Sequence, residues 1–181
     1  MRFYTKMGAP RQKLVLGMPF YGRTFNLEDS SLRDVGARSN GSGFQGPYTR
    51  ENGFLGYNEI CKELATQEWT ELWDDAAQVP YMVNGDRWVS YDNERSIAEK
   101  AKYAYSEGLA GAMIWAIDND DFQNECSGGR YPLLRTVNSV FKAATQEDAK
   151  TSTQRPKQSS ASTVSLCLAL AWLSFIAVIL H

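Results

Sequence analysis

Two short apolar runs, KLVLGMPF at residues 13–20 and LAGAMIWAI at residues 109–117, have the length of buried strands rather than of helices. The breakers Gly8, Ala9 and Pro10 precede the first run, and Tyr21, Gly22 and Arg23 stand at its carboxyl end. Ahead of the second run the pattern changes to a helical period. Asp92 can cap a helix whose first turn holds Glu94, with Ile97, Ala101, Ala104 and Tyr105 as its apolar stripe. Gly108 then ends it in the left-handed conformation that glycine favours. A helix that feeds a buried strand through a tight loop belongs to a βα repeat and predicts a parallel sheet. Pro132 starts a last helix through Leu133, Leu134, Val137 and Phe141.

The residues between the two runs follow another pattern. Gly36, Gly41, Gly43, Gly46, Pro47 and Gly53 punctuate residues 34–55, and a short helix is expected over 57–64. Alternating strands are expected over 69–73, 79–83 and 87–91, with Asn84 and Gly85 as a hairpin turn for the last two. This predicts a small antiparallel α+β module inserted in a βα framework.

Composition narrows the chemistry. The chain has 181 residues, 43% hydrophobic and 22% charged, with 19 basic against 21 acidic residues and a net charge of −2. Residues 1–142 therefore have the means to fold around a core, and no basic stretch is dense enough for a nucleic-acid footprint. The one histidine, His181, is the last residue, which leaves no His-based zinc site and no His-dependent triad. The three Cys are too few for a cysteine-rich mini-protein and badly spaced for zinc. Asp118, Asp120 and Asp121 lack the spacing of a calcium loop and are expected to serve as caps and loop acceptors, so no metal and no cofactor are expected.

The two ends differ from this middle. Residues 143–163 contain no aromatic side chain and are rich in Ser, Thr and Gln, the composition of a disordered stalk. Residues 164–180, VSLCLALAWLSFIAVIL, carry no charge. Such a tail fits a removable glycolipid-attachment signal, a retained membrane-spanning helix or an extraneous tail, and in each case it is not core. The amino end has no apolar signal-peptide region, so an upstream portion is expected for a chain that enters the secretory route.

Several segments together resemble a known family. KLVLGMPFYGRTF, GFLGYNEIC, WDDAAQVPYMVNGDRWVSYDN, GLAGAMIWAIDNDDF and GGRYPLLRTV are similar to the carboxyl-terminal portion of glycoside hydrolase family 18 chitinases. The likeness runs from about Gly8 to Phe141. It implies an α/β fold, a partial TIM (β/α)8 barrel made of its last two βα units. Residues 13–20 would be strand seven, residues 109–117 strand eight, and residues 24–90 an inserted α+β module. A TIM barrel needs about 250 residues and eight strands, so the resemblance covers only part of one. The family's catalytic DxxDxDxE run and its Met-x-Tyr-Asp motif do not occur in the sequence. No catalytic residue is therefore carried over. By resemblance, the missing Glu would be the general acid and the substrate's N-acetyl oxygen the nucleophile of a substrate-assisted retaining mechanism.

The resemblance does carry over binding positions. Trp115 would be the floor of a sugar subsite, against the alternative of a core aromatic. Tyr21 and Arg23 would line the cleft, against a solvated pair at a strand end. Glu51 and Phe54 would wall it, although loop glutamates are commonly only solvated. Trp88 is expected to pack the inserted module rather than to bind ligand. Cys61 and Cys126 occupy positions that are disulfide-bonded in the family, and Cys167 has no evident mate. Asn40-Gly41-Ser42 fits an N-glycosylation sequon as well as a simple turn. The implied partner is chitin or its oligosaccharides at the cell exterior or cell surface, with a membrane reached through the tail. Three functional readings stay open: part of a chitinase, a catalytically inactive chitin-binding or lectin-like protein, and a non-functional truncated product.

Overall fold

The computed structural model describes residues 1–66 and 68–154. The chain divides into two compact units, Met1–Glu147 and Asp148–His181. Of the second, the described residues are the end of the last helix.

In the first unit a one-turn helix α1 (Arg2–Lys6) precedes strand β1 (Val15–Pro19), and the chain then continues into β2 (Tyr21–Asn26) and β3 (Phe54–Gly56). Helix α2 (Tyr57–Ala65) follows, then β4 (Thr70–Asp74), β5 (Val79–Asn84) and β6 (Arg87–Ser90). Helix α3 (Glu94–Ser106), strand β7 (Gly111–Trp115) and helix α4 (Pro132–Gln154) as far as Glu147 complete it. The expected strands and helices are present, and the one-turn helix α1 and strands β2 and β3 are added to them.

The two apolar runs pair in parallel, with Val15 opposite Gly111 and Pro19 opposite Trp115. One face of this pair carries Leu16, Met18, Ala112 and Ile114, which pack into the main core with Ile97, Ala101 and Ala104 of α3. Gly108 adopts φ +64° and reverses the chain into β7. The opposite face presents Val15, Met113 and Trp115, all exposed.

The other five strands form one antiparallel sheet in the order β3-β2-β6-β5-β4. Its inner face supplies Leu55, Met82 and Val89 to the same core, against Ile60 of α2. Phe20 is the joint between the two sheets. Its side chain is fully buried, its N–H donates to the Trp115 carbonyl at 3.0 Å, and its carbonyl accepts from Tyr57 N–H at 3.0 Å. A bend at one residue thus carries the chain from the parallel pair into the antiparallel sheet.

Three expectations need correction. Tyr21 and Arg23 do not end the first strand; they begin β2, so the antiparallel layer starts three residues before the expected 24. The helix cap is Asn93, whose side chain accepts from Ser96 N–H at 3.1 Å. Asp92 is instead buried and accepts from Ser96 Oγ at 2.7 Å while pairing with Lys100. The stretch expected to begin a stalk at residue 143 is helical as far as Gln154. Ala, Gln, Glu and Lys there are strong helix formers, and a helix needs no core of its own to continue from a docked start. The rest of the expected stalk and the apolar tail at 164–180 lie outside the described residues. Among those described, no helix is long and apolar enough to cross a membrane.

Candidate functional site

The strand β2 alternates between two environments. Gly22 and Thr24 point into the core, while Tyr21, Arg23 and Phe25 lie on the outer face. Gly22 has to be glycine because a Cβ there would lie 2.8 Å from Ile60 Cδ1 and 2.9 Å from the Ser90 carbonyl oxygen. The close approach of α2 and β6 at this point holds the two flanking side chains outward.

Pairing with β3 then assembles the cluster. Arg23 lies directly opposite Phe54, and Tyr21 opposite Gly56, which places the Tyr21 and Phe54 rings on one diagonal. Their centroids are 4.6 Å apart with planes inclined by 25°. The Arg23 guanidinium carbon sits 5.2 Å from the Tyr21 centroid and 5.4 Å from that of Phe54. Glu51 reaches Arg23 at 4.0 Å, both side chains being more than half exposed. Such a solvated pair contributes about 0–1 kcal/mol to stability, so both groups stay available to a ligand.

Trp115 closes the carboxyl end of β7. The indole is 65% exposed. Four of the five expected binding residues therefore meet in one contact cluster, and the fifth ends β7 opposite Pro19, the last residue of β1. The cluster offers stacked rings, a guanidinium fork and a carboxylate. That donor set suits a polyhydroxylated ring with an apolar face.

The sequence reasoning missed the residue that holds this arrangement. Glu59 in the first turn of α2 is 1% exposed. Its carboxylate accepts from Tyr48 N–H at 2.7 Å, Thr49 N–H at 3.0 Å, Thr49 Oγ1 at 2.8 Å and Gly56 N–H at 2.8 Å. It thus fastens both ends of the loop that carries Glu51 and Phe54. A glutamate at the third position of a helix that follows Gly56 is the signal that could have found it. Gly46 fits against this carboxylate, where a Cβ would lie 2.3 Å from Oε1.

Other expected positions resolve in bland directions. Asp120 is buried and accepts from Asp121, Leu133 and Leu134 N–H, so it caps α4. Burial pushes its carboxyl up, while these backbone donors pull it down. Asp121 accepts from Glu125 and Cys126 N–H at 3.0 and 2.9 Å. Cys61 and Cys126 form a disulfide with Cα atoms 4.9 Å apart. Their sulfurs lie near an Asp121 oxygen, but bonded to each other they offer no thiolate to a metal. Trp88 donates from Nε1 to the Arg33 carbonyl at 3.1 Å and stacks on Tyr81, as expected of a packing residue. Asn40 is exposed, and its N–H is bonded to the Asn26 carbonyl at 2.8 Å.

Comparison with known proteins settles the family. The family model for glycosyl hydrolases family 18 matches residues 1–120. The chain belongs to that family. It is 44% identical to probable chitinase 2 of Drosophila melanogaster over 176 residues, covering 80% of this chain and 35% of that one. Mouse chitotriosidase-1 is 43% identical over 136 residues, covering 74% of this chain and 28% of that one. Among solved structures, the Group IV chitinase of Ostrinia furnacalis in complex with allosamidin superposes with a TM-score of 0.77 at 45% identity. Human YKL-39, described as a pseudo-chitinase with retained chitooligosaccharide binding, superposes with 0.74 at 39% identity. Each superposition covers 78% of this chain and 38% of the other. The chain thus spans 28–38% of the length of these relatives, and the family includes both chitinases and a sugar-binding protein named a pseudo-chitinase.

Proposed function

We propose that this chain supplies one wall and the floor of a chito-oligosaccharide-binding cleft, as the carboxyl-terminal part of a family 18 barrel. The observation that carries the reading is the ring pair of Tyr21 and Phe54 under the Arg23 guanidinium, at the end of the strand pair that also bears Trp115. Sugar rings bury their apolar faces on such flat side chains, and charged groups beside them take the hydroxyls and N-acetyl oxygens. The exposed side of the β1–β7 pair supports the barrel part of the reading. Parallel strands are normally covered on both faces, and here Val15, Met113 and Trp115 are covered by nothing among the described residues.

Hydrolysis would need an acid near the leaving oxygen. None of Glu51, Asp118 and the buried aspartates stands in the family's acid motif, so the acid is proposed to come from a DxxDxDxE segment outside this sequence. The 181-residue chain should accordingly bind N-acetylglucosamine oligomers without cleaving them. Trp115→Ala removes an exposed ring and should leave folding intact while weakening binding by about tenfold. Calorimetric titration checks this. Equal affinity of both proteins, or hydrolysis of a fluorogenic chitobioside that is lost in Trp115→Ala, would sink the proposal. The reading as a binding protein without turnover draws on the pseudo-chitinase neighbour. It is separated from the enzyme reading by whether a complete parent protein cleaves the same substrate.

The setting is proposed to be extracellular, where disulfides such as Cys61–Cys126 persist. The uncharged tail at 164–180 is proposed to hold the protein at the cell surface. Treatment of expressing cells with a phosphatidylinositol-specific phospholipase should release it if a glycolipid replaces the tail. Resistance with detergent-dependent solubility points to a retained helix. Mature protein free in the medium with the tail still attached would end the anchoring proposal.

A further inference from the structure

A cavity of about 470 Å³ lies between α2, strand β4, the start of α3 and the loop before α4, and none of the five expected binding residues lines it. One wall is apolar, made by Leu64, Ala65 and the Cys61–Cys126 disulfide. Glu71, Glu94 and Glu125 line the rest, each from a different element. Tyr57 lines it too. That residue is only 4% exposed, yet its hydroxyl has no hydrogen-bond partner among the described residues. Among the same residues, the one side-chain polar atom both sealed from solvent and unpaired is Trp73 Nε1, so the Tyr57 oxygen is reached from the cavity. Burial first, and then the charges of Glu94, Asp120, Glu71 and Asp121, push this phenol up, which keeps it neutral, with a donor and an acceptor both unused. The nearby cations are engaged elsewhere. Lys62 pairs with Glu125 at 3.6 Å, and the Arg95 guanidinium carbon lies 3.7 Å from the Trp73 centroid. Tyr91 Oη and Asn93 Nδ2 both donate to Oε1 of Glu71, at 2.5 and 3.5 Å. Oε2 of Glu71 and the whole carboxylate of Glu94 have no partner among the described residues.

We propose that this cavity takes the primary ammonium group of a small organic amine, the Tyr57 oxygen accepting one N–H and the unpaired carboxylates of Glu94 and Glu71 supplying the counter-charge. The carbon skeleton of the guest would lie on the Leu64–Ala65 wall. An anion would meet like charge, and a neutral apolar guest would leave the phenol and the carboxylates without partners, at a cost in affinity. A bare metal ion needs ligand atoms that converge on one point. Among the described residues, the set of three that converges within 4.8 Å is Cys61, Asp121 and Cys126, whose sulfurs are bonded to each other. The three glutamates are therefore too scattered to share one ion. Scattered carboxylates, an apolar wall and a buried acceptor match an organic cation, which is wide, partly apolar and rich in N–H donors. This site is separate from the sugar-binding cluster and does not depend on that reading.

The test titrates the full chain calorimetrically with 1,4-diaminobutane, with glucosamine, and with 1,4-butanediol as the uncharged counterpart of the diamine. Wild type is expected to bind an amine and not the diol, with an affinity that falls severalfold as salt rises from about 0.01 M to about 0.15 M. Tyr57→Phe keeps the ring and removes the acceptor, and should weaken amine binding by about tenfold. Its melt should be no lower than that of wild type, because the hydroxyl has no partner to lose. Glu94→Gln, at an exposed position in the first turn of α3, should weaken binding by about threefold and leave the fold in place. With these variant effects, binding of the diamine alone assigns the site to aliphatic amines, binding of glucosamine alone to sugar amines, and binding of both to the ammonium group itself. Amine binding unchanged in both variants would put the amine elsewhere and overturn the proposal. So would diol binding as tight as that of the diamine, or no binding of either amine. A lower melt for Tyr57→Phe would show that folding already uses the hydroxyl, and would overturn it as well.

Discussion

A Glu59→Ala variant is expected to lose about 3–5 kcal/mol of folding stability, and with it the binding cluster. The side chain is 1% exposed and accepts four hydrogen bonds, three of them from backbone N–H groups of the loop around Tyr48, Thr49 and Gly56. Hydrogen bonds to a charged acceptor contribute about 1.5–3 kcal/mol each, and buried donors left without a partner cost about 1–3 kcal/mol. These effects are not additive, and water would enter the space left behind, so the total is well below their sum. The loop between Thr49 and Gly56 carries Glu51 and Phe54, so loss of its anchor should also separate Phe54 from Tyr21. A urea melt and an oligosaccharide titration together check the expectation. The more conservative Glu59→Gln keeps the shape and one carbonyl acceptor, and should recover part of both. A melt within about 1 kcal/mol of wild type for Glu59→Ala would show that the loop is held by something else.

The second large effect is expected from the disulfide. Cys61 on α2 and Cys126 after β7 are 65 residues apart in sequence. Closing a loop of that length removes chain entropy from the unfolded state worth about 4 kcal/mol in the loop-closure model. In the native state the bond ties α2 to the loop that precedes α4. A Cys61→Ala, Cys126→Ala double variant avoids a free thiol and should shift the unfolding midpoint down correspondingly. Asp121 still accepts from Glu125 and Cys126 N–H in that variant, so the loop should keep its local form and the loss should be global. A change below about 1 kcal/mol would mean that the unfolded chain is already compact across this span.

Much of the framework could be read from local pattern. The runs at 13–20 and 109–117 contain the strands β1 and β7, and the helix before the second run predicted the parallel sheet in which they pair. The Asn84-Gly85 turn and its flanking strands were equally plain, because a two-residue hairpin is specified by neighbours in sequence. Asp120 and Asp121 were expected to be loop and cap acceptors, and they hold the N–H groups at the start of α4 and in the Cys126 loop. The binding residues and the disulfide pair came only from the family resemblance. Nothing in their spacing announces that Tyr21 would meet Phe54, 33 residues on in sequence.

What the sequence by itself determined was the kind of each long element, the parallel pairing and the presence of a second, antiparallel layer. The tertiary structure alone decided where that layer begins and how the site is assembled. Strand β3 has only three residues, and β2 is interrupted by Gly22, so neither shows enough alternation to be recognised by period. Their pairing exists because Phe20 is buried at the joint, Gly22 admits Ile60, and Glu59 fastens the loop between them. Each of these is a contact between segments far apart along the chain. A local hydrophobic pattern records which face of a segment avoids water. Which other segment covers that face is set by backbone pairing and buried hydrogen bonds that form only when the chain is folded.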